Sequence, residues 1–167
     1  MGRSLILGII LVGSLANPAI ASAADDAWAQ QVRNYMDKAA KPFFDRGYHY
    51  GGFSQMGSLN EGQTQRLTVS LGAGMRSQLM GGCDTDCSNL DLVLYDSAGS
   101  SVDQDVKDDD YPIVSTIPQA DAKYTLEVRM VKCKAAPCRY AIQQYVKRER
   151  RGVFRLATQG TARTRSS

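Results

Sequence analysis

A mainly β fold is what this sequence predicts: an antiparallel sandwich or barrel of about eight short strands, behind one N-terminal amphipathic helix. Three observations lead there. Apolar side chains recur at period two along four stretches: Leu67, Val69 and Leu71; Leu90, Leu92 and Leu94; Tyr124, Leu126, Val128 and Met130; and Tyr140 to Val146 through Ile142 and Gln144. That period places them on one face of a strand. Turn-forming residues separate the stretches, at Asn60-Glu61-Gly62, Gly72-Ala73-Gly74, Asp96-Ser97-Ala98-Gly99 and Pro118-Gln119-Ala120-Asp121. No strand–helix alternation occurs, which argues against a parallel α/β sheet.

The first 23 residues carry a leader pattern. Arg3 supplies a positive start, Leu5 to Leu15 an apolar run, and Ala21-Ser22-Ala23 the small-residue box that a signal peptidase accepts. The run is too short for a membrane span, which needs about 20 apolar residues. Residues 24–46 read as a helix, with Asp25 and Asp26 at its start and Trp28, Val32, Tyr35, Met36, Ala39 and Phe43 on one face. Pro42 is expected to end or kink it and Gly47 to break it. The β domain then covers residues 47–146, with shorter strands expected at 48–56, 75–81, 101–105 and 113–117. A basic tail, residues 147–167, loses the alternation and is expected to be disordered. The net charge of +3 falls to +2 without Arg3; with +6 on the tail, the body is left at −4.

The four cysteines form two close pairs, Cys83 with Cys87 and Cys133 with Cys138. In an exported chain an even count favours disulfides, and the spacing favours two local bridges among the three connectivities. A zinc site using all four thiolates is the alternative that two close pairs leave open.

The stretch Cys87-Ser-Asn-Leu-Asp-Leu-Val-Leu-Tyr-Asp-Ser-Ala-Gly99, the acids from Asp103 to Asp110, Tyr111-Pro-Ile-Val114, Ala122-Lys-Tyr-Thr-Leu-Glu-Val128 and Arg139-Tyr-Ala-Ile142 together resemble the bacterial pre-peptidase C-terminal domain. The resemblance runs from about Ser58 to Val146. It implies a jelly-roll-like β-sandwich, a family whose members are usually appended to secreted peptidases as removable extensions or as substrate- and surface-binding modules, some of them binding calcium through acidic side chains. This chain departs from the pattern in lacking a peptidase domain, in its two cysteine pairs, and in Ala122 where the family has glycine. It reads as a stand-alone, cysteine-bearing, exported relative.

Calcium is the most defensible ligand, because hard cations need several oxygens converging from loops. The candidates are Asp84, Asp86 and Asp91 near the start of one strand, and Asp103, Asp105, Asp108, Asp109 and Asp110 in the following turn. The plainer alternative is a solvated acidic loop that keeps sheet edges soluble. No cofactor is required by any motif. Catalysis has little support. The single histidine, His49, excludes a His-rich metal site, Gly52-Phe-Ser-Gln-Met56 misses the nucleophile elbow, and no Ser-x-x-Lys or phosphate-cradling loop occurs. Lys147, Arg148, Arg150 and Arg151 are candidates for an anionic envelope surface; after export, nucleic acid is not expected. The expectation is a non-enzymatic binding or envelope-interaction module, periplasmic or secreted, with an envelope protein or glycan as partner. Alternatives are an accessory module acting in trans on a secreted hydrolase and a calcium-stabilised surface-binding domain.

Overall fold

The computed structural model describes residues 18–149. One helix and eight strands follow one another: α1 (Pro18–Asp45), β1 (His49–Leu59), β2 (Thr64–Leu71), β3 (Met75–Cys83), β4 (Cys87–Tyr95), β5 (Ser101–Asp105), β6 (Ile113–Thr116), β7 (Ala122–Cys133) and β8 (Cys138–Arg148). The strands form two antiparallel four-stranded sheets, ordered β1-β8-β3-β6 and β2-β7-β4-β5. They stack as a sandwich, with the helix laid across the outer face of the first sheet. The expected fold is therefore the observed one, and all eight expected strands form.

The boundaries moved where local chemistry outweighed the pattern. α1 is described from Pro18 onward, so helix already covers the seven residues before Asp25, where the alanine-rich run favours it. The backbone of Ala21-Ser22-Ala23 is thus helical here, while residues 1–17 of the expected leader lie outside the described residues. Pro42 neither ends nor replaces the last turn. The helix runs on to Asp45 and stops at Gly47, whose φ of 81° needs no Cβ. There the N–H groups of Gly47 and Tyr48 donate to the carbonyls of Phe44 and Phe43, which closes the helix as a Schellman motif. β8 continues through Lys147 and Arg148, two residues past the expected start of the tail, since both pair with β3 at Arg76 and Met75.

Two buried clusters result. Leu90, Leu92 and Leu94 of β4 meet Leu126, Val128 and Met130 of β7, with Leu79, Tyr140 and Ile142 from the other sheet, between the two sheets. Each such side chain contributes about 1.5–3 kcal/mol on burial. The second cluster lies between α1 and the outer face of the first sheet: Val32, Met36, Ala40 and Phe43 against Met80, Ala141 and Tyr145. β8 is therefore buried on both faces. Gly82 permits the close approach of the helix, because a Cβ there would stand 2.7 Å from the Tyr35 ring and 2.8 Å from the Met36 sulfur.

The cysteines pair locally, Cys83 with Cys87 and Cys133 with Cys138. Cys87 and Cys133 are direct partners in the β4–β7 ladder, so the two bridges sit side by side at one end of the sandwich. The Asp86 carbonyl joins their loops by accepting the Lys134 N–H at 2.8 Å. No described helix is long and apolar enough to cross a membrane.

Candidate binding groove

The edge strand β1 breaks its register with β8 between Tyr50 and Ser54, around Gly51-Gly52-Phe53. Consecutive glutamines of β8 hold that irregularity from opposite faces. On the inner face Gln144 accepts the Phe53 N–H at 3.2 Å and donates to the Ser77 hydroxyl at 3.3 Å; on the outer face Gln143 donates to the Phe53 carbonyl at 3.3 Å. Gly51 is required here, since a Cβ would lie 2.5 Å from the Gln144 side chain. The bulge turns Tyr50 outward, where it is half exposed and meets Phe44 edge-on at 5.0 Å.

Between α1, β1 and β8 this leaves a groove of about 430 Å³. Met36, Met56, Ala141, Ile142 and Tyr145 give it an apolar floor, and Arg33, Asp37, Tyr50, Ser54 and Gln143 a polar rim. Arg33 bridges the rim, with its guanidinium on Gln30 at 3.2 Å and against the Met56 sulfur at 3.9 Å. The Tyr145 ring stacks on Phe43 with centroids 4.1 Å apart. Its hydroxyl is buried with no hydrogen-bond partner among the described residues. Burial, then Tyr50 and Asp37 nearby, push that hydroxyl's pKa up, so it stays a neutral donor and acceptor. The groove thus combines an apolar floor, one unused polar atom beneath it and a rim with one charge of each sign.

The acidic residues expected as calcium ligands are dispersed among separate tasks. Asp103 and Asp105 point inward from β5, the edge of the second sheet, to β6, the edge of the first. Asp105 accepts the Ile113 N–H at 3.1 Å and Asp103 the Ser115 N–H at 2.6 Å, so two carboxylates two residues apart stand in for a neighbouring strand. Burial would raise the Asp105 pKa, but the Ile113 N–H and Lys107 outweigh it and hold the carboxyl below the usual range. Asp84 is buried and accepts the Arg139 N–H at 2.8 Å. Asp108 takes Lys132 at 2.7 Å and Asn89 at 3.0 Å. Asp109 accepts the Tyr111 N–H at 3.3 Å. Asp110 faces Tyr35, whose hydroxyl is pushed up to about 12 by burial first and then by that charge. Asp91 lies on the open outer face of the second sheet opposite Arg129, and Asp86 is half-buried beside the disulfides. Among the described residues no three His, Cys, Asp or Glu side chains are grouped to hold a metal ion.

The basic candidates separate likewise. Lys147 donates to the Arg46 carbonyl at 2.7 Å at the helix end, and Arg148 is exposed at the end of β8. Arg150 and Arg151 lie outside the described residues. His49 is exposed at the start of β1 and does not line the groove.

Sequence reasoning missed the groove, because its walls come from positions 33 to 145 and no local pattern joins them. It also missed Glu127, which is 5 % exposed on the outer face of the second sheet. Glu127 accepts from Arg66 and Arg129, each at 2.7 Å. Burial opposes the charge, but the two guanidiniums outweigh it and hold the carboxyl below its ordinary range. The available signal was the alternation of Glu127 with Leu126 and Val128 in a strand that Arg66 could reach.

No protein-family profile and no curated protein matches this chain. Among solved structures, Aeromonas hydrophila PliG, a periplasmic lysozyme inhibitor of g-type lysozyme, is similar with a TM-score of 0.44 and 14 % identity, over 61 % of this chain and 90 % of that one. No residue role is carried across from it.

Proposed function

We propose that this chain is an exported, non-catalytic binding module that receives a partner protein in the groove between α1, β1 and β8. The observation that carries the reading is the Tyr145 hydroxyl, buried beneath the groove floor and without a hydrogen-bond partner among the described residues. An unpaired buried hydroxyl costs about 1–3 kcal/mol, and a ligand whose seating shifts the covering methionines aside and bonds to it recovers that penalty. The surroundings suit a partner side chain with an apolar body and a polar tip. Met36 and Met56 adapt to its shape, Tyr50 packs on it, and Arg33 and Asp37 offer one charge of each sign at the rim. Two disulfides support a location outside the reducing cytosol, in the periplasm or the medium. A relative of the pre-peptidase C-terminal domain that binds without cleaving fits the same reading.

The test is retention of envelope proteins by the immobilised, oxidised chain, compared with Tyr50→Ala and Arg33→Ala. Both residues are exposed, so the fold should survive their replacement. A protein held by the parent chain and lost from both variants is the expected result. Equal retention by all three would exclude the groove.

A further inference from the structure

Of the four edge strands, two are closed off against each other. Asp103 and Asp105 tie β5 to β6. β1 and β2 remain, and β2 carries Arg66. β1 is the longer, 11 residues with no Asp, Glu, Lys, Arg or Pro, and most of it is exposed. Long edges of this kind are normally blunted by charge or proline, because their free N–H and C=O groups offer a template to another strand. Among the described residues, β1 is blunted by the bulge at Gly51-Gly52 and by the Gln55 side-chain amide, which donates to the Met56 carbonyl at 2.7 Å and would have to turn aside on pairing; Phe53 to Leu59 carry no charge and no proline.

We propose that β1 pairs antiparallel with β1 of a second copy, about a two-fold axis at Met56, joining two four-stranded sheets into one of eight. A two-fold axis along the sheet normal preserves inner and outer faces, so only residues on the same face can stand opposite each other. On β1 the inner face holds Phe53, Gln55, Gly57 and Leu59, opposite the inward Ile142, Tyr140 and Cys138; the outer face holds Ser54 and Met56, opposite Gln143 and Ala141, and by alternation Ser58. Centring the axis on Met56 sets Met56 against Met56 of the other copy, and Ser54 against Ser58. It also sets Gln55 against Gly57 and Phe53 against Leu59. On the inner face Phe53 meets Leu59 and Gln55 meets Gly57; on the outer face serine meets serine around the Met56 pair, and no charge faces its own copy. Phe53 already packs on the core from the strand's inner side, so Leu59 of the second copy extends an apolar surface that exists. Such self-complementarity singles out a second copy over an unrelated strand as the occupant. The groove opens on the outer face, and the two grooves then flank the axis.

Sedimentation velocity of the mature, oxidised protein over a wide concentration range tests this. A reversible dimer is expected. The double variant S54K/S58K places lysine opposite lysine twice and should weaken the dimer about tenfold or more. S54K/S58D places lysine opposite aspartate and should restore it. Both serines are exposed, and circular dichroism of each variant confirms that it folds. A protein monomeric at every concentration, or a dimer indifferent to S54K/S58K, would overturn the proposal. Ser54 and Met56 also line the groove, so the dimer is read from sedimentation alone and the groove from Tyr50→Ala and Arg33→Ala, which leave Ser54 and Ser58 unchanged.

Discussion

Tyr145 lies flat on Phe43, 14° from parallel, and pairs the shortest ring-to-ring distance of the helix–sheet cluster, 4.1 Å, with a hydroxyl that has no bond among the described residues. The ring contributes stability and the hydroxyl subtracts from it. Tyr145→Phe should therefore leave the unfolding free energy unchanged or raise it by up to about 1 kcal/mol, while weakening capture of the partner. Urea melts and a capture assay on one preparation check both halves. A loss of stability on removing the hydroxyl would show that it is already satisfied within the protein.

The carboxylates of β5 act as a substitute strand for β6. In Asp105→Ala the Ile113 N–H is left without its acceptor, at a cost of about 1–3 kcal/mol, and its amide exchange should accelerate. Asp103→Ala should do the same at Ser115. With these groups already committed, calcium and EDTA should leave the melting temperature unmoved. A calcium-dependent rise would return the acidic turn to the list of ligand sites.

Acid should weaken the fold through Glu127 and Asp105. Both carboxyls are held below their ordinary pKa in the folded chain, so in the window beneath about pH 4 the unfolded state binds more protons. Their contribution is fully present above that window and is lost as pH falls through the depressed values. Glu127→Gln should lower stability at neutral pH by about 1–2 kcal/mol and flatten the acid limb of the curve. An unchanged acid limb would mean that the two arginines do not depress Glu127.

Each disulfide closes a loop with a sequence separation of only 4 or 5 residues. The chain-entropy estimate for loops this short is about 2 kcal/mol apiece. Replacing Cys133 and Cys138 together by alanine should lower stability by about that amount without unfolding the protein, because Cys87 still pairs through the β4–β7 ladder. Non-reducing peptide mapping of the parent chain should recover the two local links; any Cys83 link to Cys133 or Cys138 would contradict the pairing.

Much of the sandwich was legible because period-two patterns report which face is buried. Leu90-Asp91-Leu92-Val93-Leu94 gave the orientation of β4 unaided. β8 was harder. Its alternation identified Tyr140, Ile142 and Gln144 as one face, but the opposite face, Ala141 and Tyr145, is buried too, under a helix distant in sequence. The placement of the acids was hidden for a related reason. Clustering along the chain suggested convergence on an ion, whereas alternation along β5 sends Asp103 and Asp105 toward backbone donors of another sheet. The groove depends on α1 crossing β8 and on the Gly51 bulge, neither of which any local pattern encodes.

The central claim, a partner seated in the groove, is tested most directly by placing a photo-crosslinking amino acid at Asp37 on the rim and, separately, at Gln104 on the outer face of the opposite sheet. Both positions are exposed. Irradiation of the exported protein in the envelope should yield a discrete heavier adduct from position 37 and none from position 104. Adducts from position 104 alone would place the partner on the other sheet and contradict the groove as its seat.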